Sequence, residues 1–380
     1  MVSRAERSMV GDWWWTVDRS LLAALAALML AGLVFLMAGG PPVAERLGLS
    51  TFHFVNRQVL FLLPTLAILI AVSFLSLRHV RRLALSVYAV GMVLILLAFP
   101  FGPEIKGAHR WIMLGGIGVQ PSEFVKPAFV VIAAWAFSEG ARRKDMPGAM
   151  LALLLLPATI VPLILQPDFG QTMLVTIVWC GLFFVAGLHW FWVLGLGGAG
   201  LLGIAAAYEF LPHVRARIER FMDKSSGDTF QVDTAMESFS KGGWLGRGPG
   251  EGTVKRILPD AHTDFIFAVT AEEFGVIVCL GVLVLFAYVV LRGLMLARQS
   301  EDTFCRLAVT GLVLMFGLQA AINMMVNVHL IPAKGMTLPF VSYGGSSLLS
   351  LALGMGFLIA LTRRRPRSEH ADGFAGWARG

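Results

Sequence analysis

The sequence predicts an all-α, polytopic membrane protein with ten transmembrane helices and both termini in the cytoplasm. Three observations support this fold class: 57% of the 380 residues are hydrophobic, only 14% are charged, and the apolar residues form long continuous stretches. A soluble domain of this size needs a far more polar surface, so the composition excludes a soluble enzyme and a disordered chain. With three cysteines and no Cys-x-x-Cys spacing, it also excludes a disulfide-linked scaffold.

Ten stretches contain the roughly 20 apolar residues that a helix needs to cross a bilayer. We predict spans at 20–38, 57–75, 83–100, 121–138, 148–165, 170–187, 190–208, 264–291, 304–327 and 342–361. The membrane domain is therefore expected to cover residues 20–365. It follows a cytoplasmic segment, residues 1–19, and precedes a polar cytoplasmic tail, residues 366–380, which we predict to be disordered.

The basic residues indicate the orientation, because short cytoplasmic loops are enriched in arginine and lysine. Such residues follow the second, fourth, eighth and tenth spans: Arg78, Arg81, Arg82, Arg142, Arg143, Lys144, Arg298, Arg363, Arg364, Arg365 and Arg367. All of them lie on one side of the membrane if the N-terminus is cytoplasmic and the number of spans is even. Three consecutive tryptophans, residues 13–15, suit the membrane interface before the first span.

The longest loop runs from 209 to 263, on the opposite side of the membrane between the seventh and eighth spans. Loops of this length are usually functional or disordered. Basic and apolar residues alternate in 213–222, which predicts a short helix on the membrane surface; a solvated linker is equally compatible with 223–240. The glycine-rich stretch 242–252 offers a hinge. We therefore expect the loop to be a mobile lid.

Ionisable residues at membrane depth mark functional sites, and here they concentrate near the outer side. The first cluster is Lys106-Gly-Ala-His-Arg-Trp111, followed by Gln120-Pro-Ser-Glu-Phe-Val-Lys126. It supplies Arg110 and Lys126 as candidate binding residues. Because Glu123 and Lys126 are three residues apart on a helix, a simple intrahelical ion pair is an open alternative.

The second cluster is Gln166-Pro-Asp-Phe-Gly-Gln171, where Pro167 and Gly170 interrupt the helix. Asp168 is thereby left at an irregular backbone site, which is tolerated at membrane depth where it is buried in protein or lines a polar cavity. An aspartate there needs a cation, and Lys126 is the nearest candidate in depth. We expect the charged atoms of Lys126 and Asp168 to lie within salt-bridge distance.

The third cluster is the most prominent and runs from Leu258 to Phe267, followed by Ala-Glu-Glu-Phe-Gly at 271–275. Asp264 stands at the outer start of the eighth span, where it is either a helix N-cap or a catalytic base. His262 is its neighbour. Glu272 lies eight residues further on the same predicted helix face, which extends a polar stripe into the bundle.

The fourth cluster runs from Pro332 to Ser347 and contains Lys334, Ser342 and Tyr343. Its glycines and hydroxyls are typical of a turn that brings backbone N–H groups to a ligand, with Lys334 as a point charge for phosphate. Packing of small residues between helices is the alternative. The sequence contains no Walker A, HExxH or G-x-S-x-G motif, which disfavours ATP-driven transport, zinc proteolysis and serine hydrolysis. The residues alone leave open a lipid-phosphate glycosyl transfer and an ion-coupled transporter.

Five ordered motifs resemble those of the SEDS family of peptidoglycan polymerases: KGAHRW, QPSEFVK, QPDFGQ, LPDAHTDFIFAV with AEEFG, and KGMTLPFVSYGGSS. The resemblance extends from the first predicted span to the tenth. Within the family, the stretch Pro-Ala-Lys-Gly-Met-Thr-Leu-Pro and the run Gly-Arg-Gly-Pro-Gly-Glu-Gly-Thr-Val-Lys are similar to the branch that acts in cell division rather than in cell elongation.

The resemblance implies a glycosyltransferase of the bacterial inner membrane that polymerises lipid II into β-1,4 glycan strands at the division septum, with undecaprenyl pyrophosphate as leaving group. It implies that Asp264 is the essential carboxylate and that Lys126 and Asp168 interact. The candidate substrate-binding residues are Lys106, Arg110, Lys126, Asp168, His262, Glu272, Lys334, Ser342 and Tyr343.

The resemblance also implies ligands and partners. The expected ligands are lipid II and the lipid-linked glycan, and the expected partners are a class B penicillin-binding transpeptidase and other division membrane proteins, with no nucleic acid. A divalent cation, Mg²⁺ or Mn²⁺, suits the pyrophosphate chemistry, although the sequence shows no ligand cluster. The rival functions are a lipid II flippase, a polymerase of cell elongation, and a scaffold that only recruits the transpeptidase. A flippase requires a polar path across the whole membrane, whereas the predicted charges cluster in the outer half.

Overall fold

The computed structural model describes residues 8–105, 107–143, 145–187, 190–210, 230–332 and 335–363, together with Arg215 and Glu219. Lys106, Lys334 and the tail 366–380 lie outside the described residues. So does the predicted surface helix 213–222, apart from Arg215 and Glu219.

The described part of the chain is almost entirely helical. The elements are α1 Met9–Thr16, α2 Arg19–Arg46, α3 His53–Ser73, α4 Leu77–Phe101, β1 Ile112–Leu114, β2 Ile117–Val119, α5 Pro121–Arg142, α6 Gly148–Leu165, α7 Phe169–Val185, α8 Trp190–Phe210, α9 Phe230–Gly242, a 3₁₀ turn Val254–Arg256, α10 Ile266–Arg298, α11 Thr303–Asn327 and α12 Gly345–Thr362. The two strands form an antiparallel hairpin, with Ile112 opposite Val119.

Among the described residues, eight helices are long and apolar enough to cross a membrane: α2 to α6 and α10 to α12. The other two predicted spans correspond to α7, with 17 residues, and α8, with 21 residues. The expected all-α membrane class is confirmed. The end of the bundle that carries the loops before α5, α10 and α12 is the one that the sequence assigns to the outside, and it is called the outer end below.

The centre of the bundle is formed by α5, α11 and α12, because small residues allow these helices to approach closely. In α12, a Cβ on Gly356 would lie 2.8 Å from Cβ of Val72 in α3. In α11, a Cβ on Gly311 would lie 2.7 Å from Cγ1 of Val130 in α5. Larger side chains at either position would separate the helices that carry the site.

Helix α2 extends eight residues beyond the predicted end at 38 and contains Pro41 and Pro42. Glycines and prolines after residue 38 would ordinarily end a helix, since proline removes a backbone hydrogen bond. Tertiary packing overrides that signal: a Cβ on Gly39 would lie 2.9 Å from the Ile266 side chain, and Arg46 Nη2 donates to Leu258 O at 2.9 Å. The outer end of α2 thus supports the segment that leads into α10.

Helix α10 is broken at Gly275, whose φ of 86° and ψ of 170° are not helical. Loop residues 243–248 fill the break: the N–H of Val276 donates to Gly243 O at 2.9 Å, and the N–H of Gly248 donates to Glu273 O at 3.0 Å. The predicted span 264–291 therefore merged two helices. The 33 residues of α10 would span about 50 Å, well beyond a hydrocarbon core of about 30 Å.

Two of the glycines in the predicted hinge lie in close contact with the backbone of α10. A Cβ on Gly242 would collide with Ala271 O, and one on Gly246 would collide with Glu273 O. The segment 230–265 is consequently packed against the outer part of α10. Mobility of the rest of the 209–263 loop stays a prediction.

Candidate functional site

A cavity of about 410 Å³ at the outer end joins residues from all four sequence clusters. Helix α3, the β-hairpin and the N-terminal ends of α5, α7 and α12 form its wall, together with the turn before α10. Its polar lining consists of Arg57, Gln120, Glu123, Gln171, Asp260, Thr263, Asp264, Thr337, Tyr343, Ser346 and Ser347. Trp111 and Phe61 add aromatic surface.

Asp264 lines this cavity and is not the cap of α10. The N-cap of the helix is Phe265, which makes no side-chain cap hydrogen bond, so the cap interpretation is wrong. The backbone oxygen of Asp264 accepts hydrogen bonds from Asn323 Nδ2 and Asn327 Nδ2, each at 2.9 Å. A Cβ on Gly335 would lie 3.6 Å from Asp264 Oδ2, which places the third and fourth clusters side by side. The structure therefore fixes Asp264 through its backbone and directs its side chain to the cavity.

Asn323 and Asn327 are buried in α11, one helical turn apart, and the sequence analysis did not single them out. Asn323 Nδ2 also donates to Met336 O at 2.6 Å, and the N–H of Ala268 donates to Asn327 Oδ1 at 3.0 Å. Two asparagines one helical turn apart in a predicted span are a usable signal, since a polar side chain at membrane depth needs a specific partner.

Ser342 and His262 support the Asp264 turn rather than line the cavity. Ser342 Oγ donates to Thr263 O at 2.6 Å and accepts from the N–H of Leu338 at 2.8 Å. The His262 ring packs against Phe54 and Tyr343, with ring centroids 4.2 Å and 5.5 Å apart. Both residues are buried behind the turn, and their contact with substrate stays a prediction.

The prediction of a salt bridge between Lys126 and Asp168 is wrong, because each side chain contacts other partners in the structure. Lys126 Nζ lies 3.0 Å from Glu123 Oε2 and donates to Gln319 Oε1 at 3.3 Å, so the intrahelical alternative is confirmed. Asp168 instead accepts from Gln120 Nε2 at 3.3 Å, and its Oδ1 lies 4.0 Å from Arg110 Nη1. The reason is geometric: Lys126 lies one turn deeper along α5, where Glu123 is its closest carboxylate.

Arg110 holds the helix break of the second cluster together. Its Nε donates to Gln166 O at 2.9 Å and its Nη2 donates to Pro167 O. These two carbonyl oxygens have no helical partners, because the helix is interrupted there, and Arg110 satisfies them. The same side chain also approaches Asp168. It stands behind the cavity wall and is not one of the residues that line it.

The buried Glu123–Lys126 pair is the centre of a polar network that joins the clusters. Gln171 Nε2 donates to Glu123 Oε1 at 2.6 Å. On the other side, Gln319 Nε2 donates to Thr337 O at 3.2 Å. Such partners are needed because a buried charge without compensation is strongly destabilising.

Arg57 and the N-terminus of α12 give the cavity a positive side that the sequence analysis missed. Arg57, on α3, lines the cavity together with Tyr343. Burial raises the pKa of the Tyr343 hydroxyl, and the Arg57 guanidinium opposes that rise. Helix α12 begins at Gly345 without a side-chain cap, and residues 344–347 line the cavity. The sequence could have indicated Arg57, because it is an ionisable residue at the start of a predicted span.

Glu272 lies outside the cavity lining, although a polar stripe from Asp264 was expected. Asp264 precedes the helix, so the helical spacing of eight residues does not apply to this pair. The Glu272 carboxylate is fully buried and accepts hydrogen bonds from the backbone N–H groups of Thr253, Val254 and Lys255.

No group of three His, Cys, Asp or Glu side chains is placed to hold a metal ion within the described ranges. Of the residues that the structure describes, three carboxylates line the cavity: Glu123, Asp260 and Asp264. A divalent ion there would need phosphate oxygens of a substrate as further ligands, as is usual for Mg²⁺.

The fold and the site together define a multi-pass α-helical membrane protein with a polar, carboxylate-containing cavity at one end of its bundle. The chain belongs to the FtsW/RodA/SpoVE family, whose model, described as "Cell cycle protein", matches residues 18–367. The SEDS membership expected from the five motifs is thereby confirmed.

Two relatives, each named "Probable peptidoglycan glycosyltransferase FtsW", are similar over nearly the whole chain. The protein from Caulobacter vibrioides is 44% identical over 379 residues, which cover 99% of this chain and 97% of the relative. The protein from Halorhodospira halophila is 34% identical over 370 residues, covering 93% of each chain. The division branch expected from the motifs agrees with these names.

Two solved structures share the fold. One, described as "Structural coordination of polymerization and crosslinking by a peptidoglycan synthase complex", has a TM-score of 0.76 and 30% identity, covering 91% of this chain and 97% of that chain. The other is the rod shape determining protein RodA of Thermus thermophilus, with a TM-score of 0.68 and 29% identity, covering 93% of this chain and 99% of that chain.

Proposed function

We propose that this protein is a peptidoglycan glycosyltransferase that polymerises lipid II into β-1,4 glycan strands and releases undecaprenyl pyrophosphate. The observation that carries the proposal is the position of Asp264, which lines a polar cavity at the outer end while two asparagines fix its backbone. The similarity to relatives named as glycosyltransferases over nearly the whole chain supports the same activity.

Asp264 acts as the general base. The acceptor is the C4 hydroxyl of the lipid II N-acetylglucosamine, which is a poor nucleophile at neutral pH. A carboxylate that takes its proton as the new bond forms contributes a typical factor of about 10² to 10⁴ in rate. The hydroxyl attacks C1 of the growing glycan, and the C1–O bond to the pyrophosphate breaks. Inversion from the α-linked donor to the β-linked product requires no covalent enzyme intermediate.

The positive side of the cavity stabilises the leaving pyrophosphate. Negative charge accumulates on the pyrophosphate as the C1–O bond breaks, and preorganised donors lower the energy of that state. Arg57 and the backbone N–H groups at the start of α12 occupy this side of the cavity. Lys106 and Lys334, which lie outside the described residues, are the further candidates.

The remaining predicted site residues shape the wall. Asp168 contacts Gln120, which lines the cavity, and Arg110 fixes the chain around Asp168. Lys126 holds Glu123, whose carboxylate lines the cavity. We assign Lys126, Asp168 and Arg110 an indirect role through these neighbours, while Tyr343 contacts substrate together with Arg57.

We further propose that α7 and α8 also cross the membrane, so that ten helices span it and both termini are cytoplasmic. The protein is then a division protein of the bacterial inner membrane, acting at the septum beside a class B penicillin-binding transpeptidase. Similarity to a chain of a peptidoglycan synthase complex supports a partner of this kind.

A lipid II flippase is the alternative from another class. It requires polar groups along the full depth of the bundle. In α12, however, the buried inner half, residues 351–361, contains no polar side chain, whereas its outer start lines the cavity. This distribution favours an enzyme that acts at the outer end.

The test is polymerisation of lipid II by the purified full-length protein with its transpeptidase partner, followed by gel separation of the glycan strands. Asp264→Asn keeps the size of the side chain and removes the base, so polymerisation should be abolished while expression and partner binding persist. Asp302→Asn, at the N-cap of α11, is the matched control, because asparagine caps a helix as well as aspartate does. Strands of near-normal yield from Asp264→Asn would sink the proposal.

A further inference from the structure

Two buried glutamates at the outer part of α10, Glu272 and Glu273, have no place in the mechanism above. Their side chains are 0% and 1% exposed. Neither lines the cavity, and both point to the loop 250–255. Buried carboxylates are costly unless they are paired and fully hydrogen-bonded, so their contacts show what the fold uses them for.

The Glu272 carboxylate accepts three consecutive backbone N–H groups. Oε1 accepts from Thr253 at 2.6 Å and from Val254 at 2.7 Å, and Oε2 accepts from Lys255 at 3.0 Å. Hydrogen bonds to a charged acceptor are stronger than neutral ones. There is no spare room beside them, because a Cβ on Gly252 would lie 2.9 Å from Glu272 Oε2.

Glu273 adds a second connection to the same loop. Its Oε2 accepts from the N–H of Gly250 at 3.1 Å, and its Oε1 forms a buried ion pair with Lys255 Nζ. The two glutamates therefore join one stretch of loop to one turn of α10.

The position of Asp264 in the chain gives these contacts their significance. The loop residues 253–255 precede Asp264, and Glu272 follows it, so the Glu272 carboxylate closes a loop of the chain that contains Asp264. At the far side of this loop, Asp264 O is held by the two asparagines of α11, and Ser342 holds Thr263 O. Hydrogen bonds from α11 and from Ser342 thus fix the backbone at Asp264 on one side. On the other side, the hydrogen bonds of Glu272 to residues 253–255 fix the chain that leads into it.

We infer that Glu272 is a positioning residue for the catalytic aspartate: its carboxylate, bound to the N–H groups of 253–255, sets where Asp264 stands in the cavity. This inference rests on the proposed function of Asp264. Glu272 never touches substrate and transfers no proton. It aligns Asp264 with the acceptor hydroxyl, so loss of Glu272 should change kcat more than KM.

The experiment compares Glu272→Gln with wild type in lipid II polymerisation by the full-length protein in complex with its transpeptidase partner. Glutamine presents an N–H₂ group to the backbone N–H groups, so at least one hydrogen bond is replaced by a contact between donors. A displacement of about 1 Å costs roughly 100-fold in rate, so we expect kcat to fall by about 10- to 100-fold. The KM for lipid II should stay within about twofold. Glu272→Asp, which keeps the charge, should retain more kcat than Glu272→Gln.

Two controls separate positioning from loss of folding. Asp18→Asn weakens a contact at the opposite end of α10 and should lower thermal stability with kcat unchanged. Gly252→Ala presses on the same carboxylate without removing its charge, and it should lower kcat even if Glu272→Gln does not fold.

Asp264→Asn, assayed in parallel, keeps the two proposals distinguishable. If it is inactive while Glu272→Gln and Gly252→Ala retain wild-type kcat, only the positioning role is overturned. If Asp18→Asn loses as much kcat as Glu272→Gln at equal thermal stability, the effect is general destabilisation and the positioning role is likewise overturned. An active Asp264→Asn variant would instead remove the proposed function itself.

Discussion

At the scale of single residues, the buried ion pair between Lys126 and Glu123 stabilises the wall of the site. Lys126 and Glu123 are only 2% and 5% exposed, and they bond to Gln319 and Gln171 respectively. Removing one member of a buried pair leaves an uncompensated charge, whereas replacing both members with neutral groups is often tolerated.

We therefore predict that Lys126→Met lowers the free energy of unfolding by about 3–5 kcal/mol. The double variant Lys126→Met with Glu123→Gln should be markedly more stable than the single one, because no isolated carboxylate remains. Thermal unfolding in detergent micelles measures both. The pairing would be contradicted if the double variant lost as much free energy of unfolding as Lys126→Met and Glu123→Gln lose together. Lipid II polymerisation by the double variant should stay below wild type, because Glu123 also lines the cavity.

At the scale of elements, the break in α10 lets a loop pair with a helix. The glycine at 275 has a positive φ, and the carbonyl of Trp244 occupies the place of a side chain. After the break, the N–H groups of Val276 and Ile277 donate to Gly243 O and Trp244 O. The loop thus caps the membrane-embedded part of α10.

We predict that Gly275→Ala lowers both thermal stability and polymerisation. Its Cβ would collide with Trp244 O, and alanine is strained at this φ. The matched control is Gly281→Ala in the same helix, where a Cβ meets no atom within 4 Å. That variant should be neutral, or more stable by up to about 1 kcal/mol, because alanine favours helix. Equal melting temperatures for the two variants would refute the interpretation of the break.

At the scale of the whole molecule, contacts at the end opposite the cavity join the first and last helices. Asp18 Oδ2 lies 2.6 Å from Arg292 Nη2, which links the start of α2 to the end of α10. Arg363, after α12, donates to Thr16 Oγ1 at 3.0 Å, and Trp13 Nε1 donates to Ser73 Oγ at 2.7 Å. Helix α1 is thereby fastened to the bundle.

The Asp18–Arg292 contact predicts an acid dependence of stability. Burial tends to raise the pKa of Asp18, but hydrogen bonds from Arg292, Ser20 and the N–H of Leu21 outweigh it and lower the pKa below 3.8. The resulting stabilisation is present above the pKa of the unfolded state and is lost as the pH falls through the folded pKa. Asp18→Asn should thus melt at a lower temperature than wild type at neutral pH, and the difference should disappear below that pKa. A difference that persists in strong acid would show that the charge is not responsible.

The sequence by itself determined the class of protein and the four polar clusters that contribute residues to the cavity. Composition and the length of apolar stretches are summed over many residues, so they predict membrane helices without knowledge of packing. Ionisable residues at membrane depth similarly mark a site, because a charge is costly there without a partner. The clusters containing Lys126, Asp168, Asp264 and Tyr343 were found in this way.

Only the tertiary structure decided which of these residues meet. Lys126 pairs with Glu123 and not with Asp168, Arg57 joins the cavity from α3, and Glu272 turns to a loop instead of the substrate. Helix α2 continues through Pro41 and Pro42 because the chain before α10 packs on it. The physical reason is that hydropathy and spacing are local properties of the chain. The choice between the local partner Glu123 and the distant Asp168, and the point at which α2 ends, depend instead on contacts such as Lys126 with Gln319 and Arg46 with Leu258, 193 and 212 positions apart, which no local pattern records.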